Sequence, residues 1–205
     1  MALKTIVIVN GITNLSDARY CAGMGVEMLG FELDASSPGY VEPQTFKVIN
    51  EWVAGIKKVG ELPRAEYTDL KSLLATYSLD YLQTEDSDNW EELHSAGIPL
   101  ICKVIWQERW TITDFQQKYK PVAPYVDFFL VEVISFTEEL LVTIGEVTAL
   151  YPVLLDAGGM LVDVEKLLAD TSIKGIALKG SHEIRPGLKD FDQLAQILEQ
   201  LEVED

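Results

Sequence analysis

Thr5-Ile6-Val7-Ile8-Val9, closed by Asn10-Gly11, is the stretch on which the fold turns. Four of its first five residues are β-branched aliphatics and no polar residue alternates with them, the pattern of a strand covered on both faces, as in parallel sheets flanked by helices. Asn-Gly is a turn pair and ends the run. Beyond it, Asn14 or Ser16 can cap a helix through Gly23, and Met28–Phe31 is the next apolar run. Further runs fall at Val53–Val59, Leu79–Gln83, Pro99–Trp106, Val126–Val133, Pro152–Leu155 and Gly175–Leu178. Helical stretches lie between them at Pro43–Trp52, Arg64–Ser78, Trp90–Ala96, Phe136–Leu150 and Phe191–Leu201. Eight strand-then-helix units of roughly 25 residues predict an α/β chain, a (β/α)8 barrel forming one domain over residues 1–205. A doubly wound open sheet produces the same alternation and is the rival architecture.

Composition narrows the function classes. The chain has 205 residues, 48% of them hydrophobic, with 33 Asp plus Glu against 16 Lys plus Arg, a formal charge of −17. Such a field repels nucleic acid and anionic membrane surfaces, so neither is expected as a partner. Cys21, Cys102, His94 and His182 have neither a disulfide framework's number nor a zinc site's spacing, so no metal and no cofactor is expected. Met1-Ala2-Leu3-Lys4 runs straight into a strand, and no apolar run approaches the ~18 residues that span a bilayer. A cytoplasmic monomer or homodimer is the expectation.

In either architecture the ligand site lies beyond the carboxyl ends of the strands. The residues there are Asn10, Glu32, Gln83, Lys103, Glu132, Gly158-Gly159 and Lys179-Gly180-Ser181. The strand period of two pairs Asn10 with Ile8, Gln83 with Tyr81, Glu132 with Leu130 and Lys179 with Ala177. Gly158-Gly159 and Gly180-Ser181 can present backbone N–H groups to an anion, and an inward Lys179 would add a point charge for a phosphate. Blander readings stand beside these. Asn10 can be a turn residue only, the glycine pairs turn formers, and Glu132 a surface carboxylate if its strand slips by one residue. His182 reads as solvated, the cysteines as inert buried residues, and Trp106 as a packing residue that could also line the mouth.

Four segments, in order along nearly the whole chain, resemble the phosphoribosylanthranilate isomerase family. Val9-Asn10-Gly11-Ile12-Thr13-Asn14 with Asp17-Ala18 is similar to its first-strand signature, in which a Cys precedes Gly-Ile-Thr. Gly25–Phe31 with Ser36-Ser37-Pro38-Gly39-Tyr40-Val41 is similar to its second strand and loop, where an Arg follows the Pro. Leu155-Asp156-Ala157-Gly158-Gly159 resembles the seventh-strand turn. Lys179-Gly180-Ser181-His182-Glu183, with Pro186–Asp190, resembles the eighth-strand phosphate loop and the lead into the last helix.

The resemblance implies a (β/α)8 barrel, a small phosphorylated ligand and an Amadori isomerisation of N-(5'-phosphoribosyl)anthranilate. In that reaction a general acid opens the furanose ring and a general base removes the C2′ proton. It also implies site residues. The base position is Asn10, an amide with no useful basicity. The acid position is Glu132, the Arg position Gly39, and Gln83 matches a family Gln. Ala177 stands for an Asp, Ile8 for a Lys, and Lys179-Gly180 for two serines. The glycine-rich loop after the sixth strand is missing, since Val133-Ile134-Ser135 runs directly into a helix. Three readings follow: a working but divergent isomerase, an enzyme on another phosphorylated substrate using Glu132, or a non-catalytic relative that binds a ligand or partner.

Overall fold

The computed structural model describes residues 2–87, 89–135, 137–156, 164–180, 183–185, 188–189 and 191–203. The strands are β1 (Ile6–Asn10), β2 (Met28–Glu32), β3 (Lys57–Arg64), β4 (Tyr81–Asp86), β5 (Leu100–Ile105), β6 (Phe128–Glu132), β7 (Val153–Asp156) and β8 (Gly175–Lys179). Each pairs in parallel with its sequence neighbours, and β1 pairs with β8 from Ile6↔Gly175 to Asn10↔Lys179. The sheet is therefore a closed (β/α)8 barrel, and the open-sheet alternative is excluded. After β8 a short antiparallel ribbon, β9 (Glu183–Arg185) with β10 (Leu188–Lys189), precedes the last helix.

The helices are α1 (Leu15–Gly23), α2 (Pro43–Trp52), α3 (Tyr67–Thr76), α4 (Trp90–His94), α5 (Ile112–Tyr119), α6 (Glu138–Thr148), α7 (Val164–Asp170) and α8 (Asp192–Gln200). The larger core lies between them and the outer barrel face, where Val7, Val9, Leu29, Phe31, Phe129 and Val131 meet helix residues such as Phe46, Phe115 and Ile144. A second core fills the barrel itself with Ile8, Met28, Val59, Ile101, Leu130, Leu154 and Ala177. Alternate strand residues thus face two apolar environments, which is why the strands read as continuous hydrophobic runs. Among the described residues no helix is long and apolar enough to cross a membrane.

Two boundaries differ from the sequence reading in ways that matter below. The third run, read as Val53–Val59, is found as β3 (Lys57–Arg64), and the helix read from Arg64 begins only at Tyr67. The strand continues through Gly60-Glu61, because the barrel's interior changes there from apolar to polar while the ladder to β2 and β4 goes on. A smaller effect tests the loop above β1. The Asn14 side chain accepts the Asp17 N–H at 3.0 Å and caps α1. Asn14→Ala should cost about 1 kcal/mol, read as a lower urea midpoint with unchanged slope; an unchanged midpoint would show that the cap carries no weight.

Candidate active site

Moving two residues along each strand from the barrel's inner apolar layer reaches its carboxyl-terminal mouth. From Ile8, Val59, Tyr81, Ile101, Leu130, Leu154 and Ala177 this gives Asn10, Glu61, Gln83, Lys103, Glu132, Asp156 and Lys179. The layer changes from oily to polar and charged in a single step. The predicted period-two pairings of Asn10, Gln83, Glu132 and Lys179 agree with the membership of that inner layer.

The β1–β4 side is the more enclosed. Asn10 is only 6% exposed and donates from Nδ2 to Gln83 Oε1 at 3.4 Å, while its Oδ1 is buried without a hydrogen-bond partner. Gly11 turns into the left-handed region at φ 71°, where a side chain would be strained. Its N–H donates to Glu61 Oε1 at 2.9 Å. Gly30 leaves room for both groups: a Cβ there would lie 2.4 Å from Asn10 Oδ1 and 2.5 Å from Glu61 Oε1. The two oxygens therefore face each other across the space a side chain would fill. Burial, reinforced by Glu32, outweighs the Gly11 amide and the Lys103 and Lys179 charges, and raises the Glu61 carboxyl from its ordinary 4.5 to about 7.

On the β5–β8 side the charges are paired. Lys103 Nζ lies 2.9 Å from Glu132 Oε2 and 3.1 Å from Glu85 Oε1, and Lys179 Nζ lies 3.7 Å from Glu132 Oε1. Burial alone would raise the Glu132 carboxyl, but the Lys103 hydrogen bond and charge, with Lys179, outweigh it and hold the carboxyl below its usual range. Burial likewise favours neutral Lys103, yet its bonds to Glu132 and Glu85 keep the ammonium above its usual value. Glu132 is thus a fixed anion, the wrong state for a proton donor.

A cleft of about 190 Å³ opens over the ends of β2 to β5, bounded by Glu32, Asp34, Ser37, Glu61, Gln83, Glu85 and Lys103. Gly39, the position of the expected Arg, lies against two of its lining residues, Ser37 and Glu32. Ser37 Oγ donates to Glu32 Oε2 and accepts the Gly39 N–H at 3.2 Å. A Cβ on residue 39 would lie 2.6 Å from Glu32 Oε2, so a carboxylate occupies the space that a larger side chain would need.

Of the residues picked from sequence, Asn10, Gln83, Glu132 and Lys179 converge on the mouth, and Glu132 points inward rather than out. Gly180 has a different job from the one expected. Its N–H continues the ladder to Asn10 O at 2.7 Å, so it is not free for an anion, and its missing side chain suits the close approach of Gly11 O, 3.1 Å from where a Cβ would be. Gly158, Gly159, Ser181 and His182 lie outside the described residues. Trp106 is buried at 4% exposure against Trp110 and Phe115. Burial pushes the Cys102 thiol up to about 12, leaving it inert. Sequence reading missed Glu61, Glu85 and Asp156. The signal for Glu61 was the Gly60-Glu61-Leu62 alternation just past an apolar run.

The raised Glu61 carboxyl has a measurable cost. Between about pH 4.5 and 7 the folded chain holds a proton that the unfolded chain releases, so this group lowers stability as pH rises through that window. Glu61→Gln keeps an acceptor for Gly11 N–H and removes the penalty. It should stabilise the protein by up to ~3 kcal/mol above pH 7 and change little below pH 4. Thermal melts at pH 4 and 8 check this; equal melting of both proteins at pH 8 would refute it.

No family model matches the chain. In sequence it is 26% identical over 202 residues to the N-(5'-phosphoribosyl)anthranilate isomerase of Maridesulfovibrio salexigens, covering 94% of this chain and 96% of that one. In fold it is similar to N-(5'-phosphoribosyl)anthranilate isomerase from Pyrococcus furiosus, with a TM-score of 0.79 at 14% identity over 96% of this chain and 98% of the other. It is also similar to a phosphoribosyl anthranilate isomerase in complex with reduced 1-(o-carboxyphenylamino)-1-deoxyribulose 5-phosphate, with a TM-score of 0.75 at 18% identity over the same shares. Along nearly its whole length this chain is thus similar in sequence to named N-(5'-phosphoribosyl)anthranilate isomerases, and it is built on the same closed barrel.

Proposed function

We propose that the protein binds a small phosphorylated molecule at the carboxyl-terminal mouth of its barrel and does not carry out the family's Amadori isomerisation efficiently. The observation that carries the second half is the state of the two proton-transfer positions. The base position holds the Asn10 amide, and the acid position holds Glu132, which two lysines keep ionised. Catalysis of ring opening and proton abstraction needs an acid that is protonated and a base that is free. The first half rests on Lys179 at the end of β8, half-exposed and only loosely paired at 3.7 Å, together with the glycine-rich turns of the sequence. Gly158, Gly159 and Ser181, outside the described residues, are the amide donors proposed from the sequence, and Gln83 the polar contact to the ligand's other end. A phosphorylated compound also fits the family, one structure of which holds a ribulose 5-phosphate derivative.

Isothermal titration with ribose 5-phosphate, and with ribose as control, tests this reading. Binding of the phosphorylated sugar alone is expected, weakened about tenfold by Lys179→Met, the loss of one charge-assisted contact. Equal binding of ribose, or no binding of either, would overturn it.

A further inference from the structure

Resting on that phosphorylated-ligand reading, we infer that Glu61 is the proton acceptor of this cleft. It would take a proton from the carbon next to a carbonyl in a phosphorylated hydroxy-carbonyl compound that carries no carboxylate. The inference starts from position 10. The atom buried there is an amide oxygen with no donor, nine-tenths buried, and it faces the Glu61 carboxylate across Gly30. A proton-accepting group is therefore present beside the lost one, supplied from β3 instead of β1. Glu61 also bounds the cleft, so a ligand entering there reaches it directly.

Its surroundings suit the task. The Gly11 N–H fixes Oε1 at 2.9 Å, which positions the carboxylate without neutralising it. The charged groups acting on it are Glu32 from β2, Lys103 from β5 and Lys179 from β8; β1 presents the neutral Asn10, and β4 the neutral Gln83 with Glu85, paired to Lys103, beyond it. Their sum with burial leaves its carboxyl near 7, where a general base is most effective at neutral pH. In the step, the C–H bond breaks and its proton goes to Glu61. The electron pair forms the enol double bond, and the carbonyl π pair moves onto oxygen, giving an enolate. Reversal returns a proton, or a deuteron from solvent, to the same carbon. The absence of a carboxylate on the substrate follows from Glu32, Asp34, Glu61 and Glu85 around the cleft. Their one lysine neighbour there is already paired with Glu85 and Glu132.

The test uses ribulose 5-phosphate in D₂O. Its C5 oxygen is esterified and cannot close a five-membered ring, so its carbonyl is free. Proton NMR should show loss of the signals beside the carbonyl at least ~10²-fold faster than in buffer, with a rate that falls below about pH 7. Glu61→Gln should bind the sugar phosphate as tightly as wild type but exchange at least ~10²-fold more slowly, and Glu61→Asp should regain part of the rate with the same pH dependence. Exchange by Glu61→Gln at the wild-type rate would overturn the inference, as would wild type that binds the probe without exchanging it. Failure to bind at all would instead sink the ligand reading and carry this inference with it.

Discussion

Supplied with N-(5'-phosphoribosyl)anthranilate, the purified protein should turn over at least ~10²-fold more slowly than the Maridesulfovibrio salexigens isomerase, and Asn10→Cys alone should not close the gap. A thiol at position 10 would restore a base, but three other features of the mouth remain. Glu132 stays ionised beside Lys103 and Lys179 and cannot deliver the proton that opens the ring. Position 39 has no guanidinium for the anthranilate carboxylate. The cleft next to it is lined by carboxylates that repel the same group. Gly39→Arg requires the Glu32 carboxylate, 2.6 Å from the new Cβ, to swing aside, and that carboxylate would then compete with the substrate for the guanidinium. Misplacement of a reacting group by about 1 Å can cost on the order of 10²-fold, so partial reversions should recover little. Fluorescence-monitored turnover measures this, with peptide mass analysis to show that Asn10, which precedes Gly11, has not deamidated to Asp. Family-like turnover by protein with Asn10 intact would mean that the base has been misassigned.

The barrel was legible because its two cores demand it. Each strand packs one face into the barrel and the other against helices, so Ile6–Val9 or Phe128–Val131 stand out as unbroken apolar runs. The site was most legible where a polar residue stood at or near the end of such a run. Asn10, Gln83 and Glu132 do so and were found; Lys103, inside its run, was found by its place on the fifth strand. Glu61 was missed because the third run was ended at Val59, and the helix was then started at Arg64, still inside β3. Glu85 was missed for the same reason at the end of β4. Nothing local in the sequence marks the Lys103–Glu132–Lys179 set, whose members stand on β5, β6 and β8 and meet only once the barrel closes. The meaning of Glu132 changed accordingly. As a residue type it suggested an acid, and its lysine neighbours favour its ionised form.

That closure is itself open to test at its seam, where Gly175→Ala should destabilise the protein by ~3 kcal/mol or more. Gly175 opens β8 and pairs with Ile6 on β1 and Leu154 on β7. A Cβ there would lie 2.3 Å from the Ile6 carbonyl oxygen, 2.8 Å from Ile6 Cβ and 2.9 Å from Leu154 Cδ2. The nearest of these atoms is backbone in the neighbouring strand, so no side-chain rotation relieves the contact. Either the β8–β1 ladder opens locally or both strands shift, and either response disturbs a ladder that ends at Asn10↔Lys179, inside the site. Gly23, at the end of α1, has nothing within 4 Å of its would-be Cβ. Gly23→Ala should therefore be neutral or stabilise by up to ~1 kcal/mol, through a less flexible unfolded chain. Urea denaturation of the pair separates a steric cause from a general effect of alanine, because the same chemical change carries opposite signs at the two positions. A Gly175→Ala midpoint equal to wild type would mean that the strands meet less closely at the seam than these distances require.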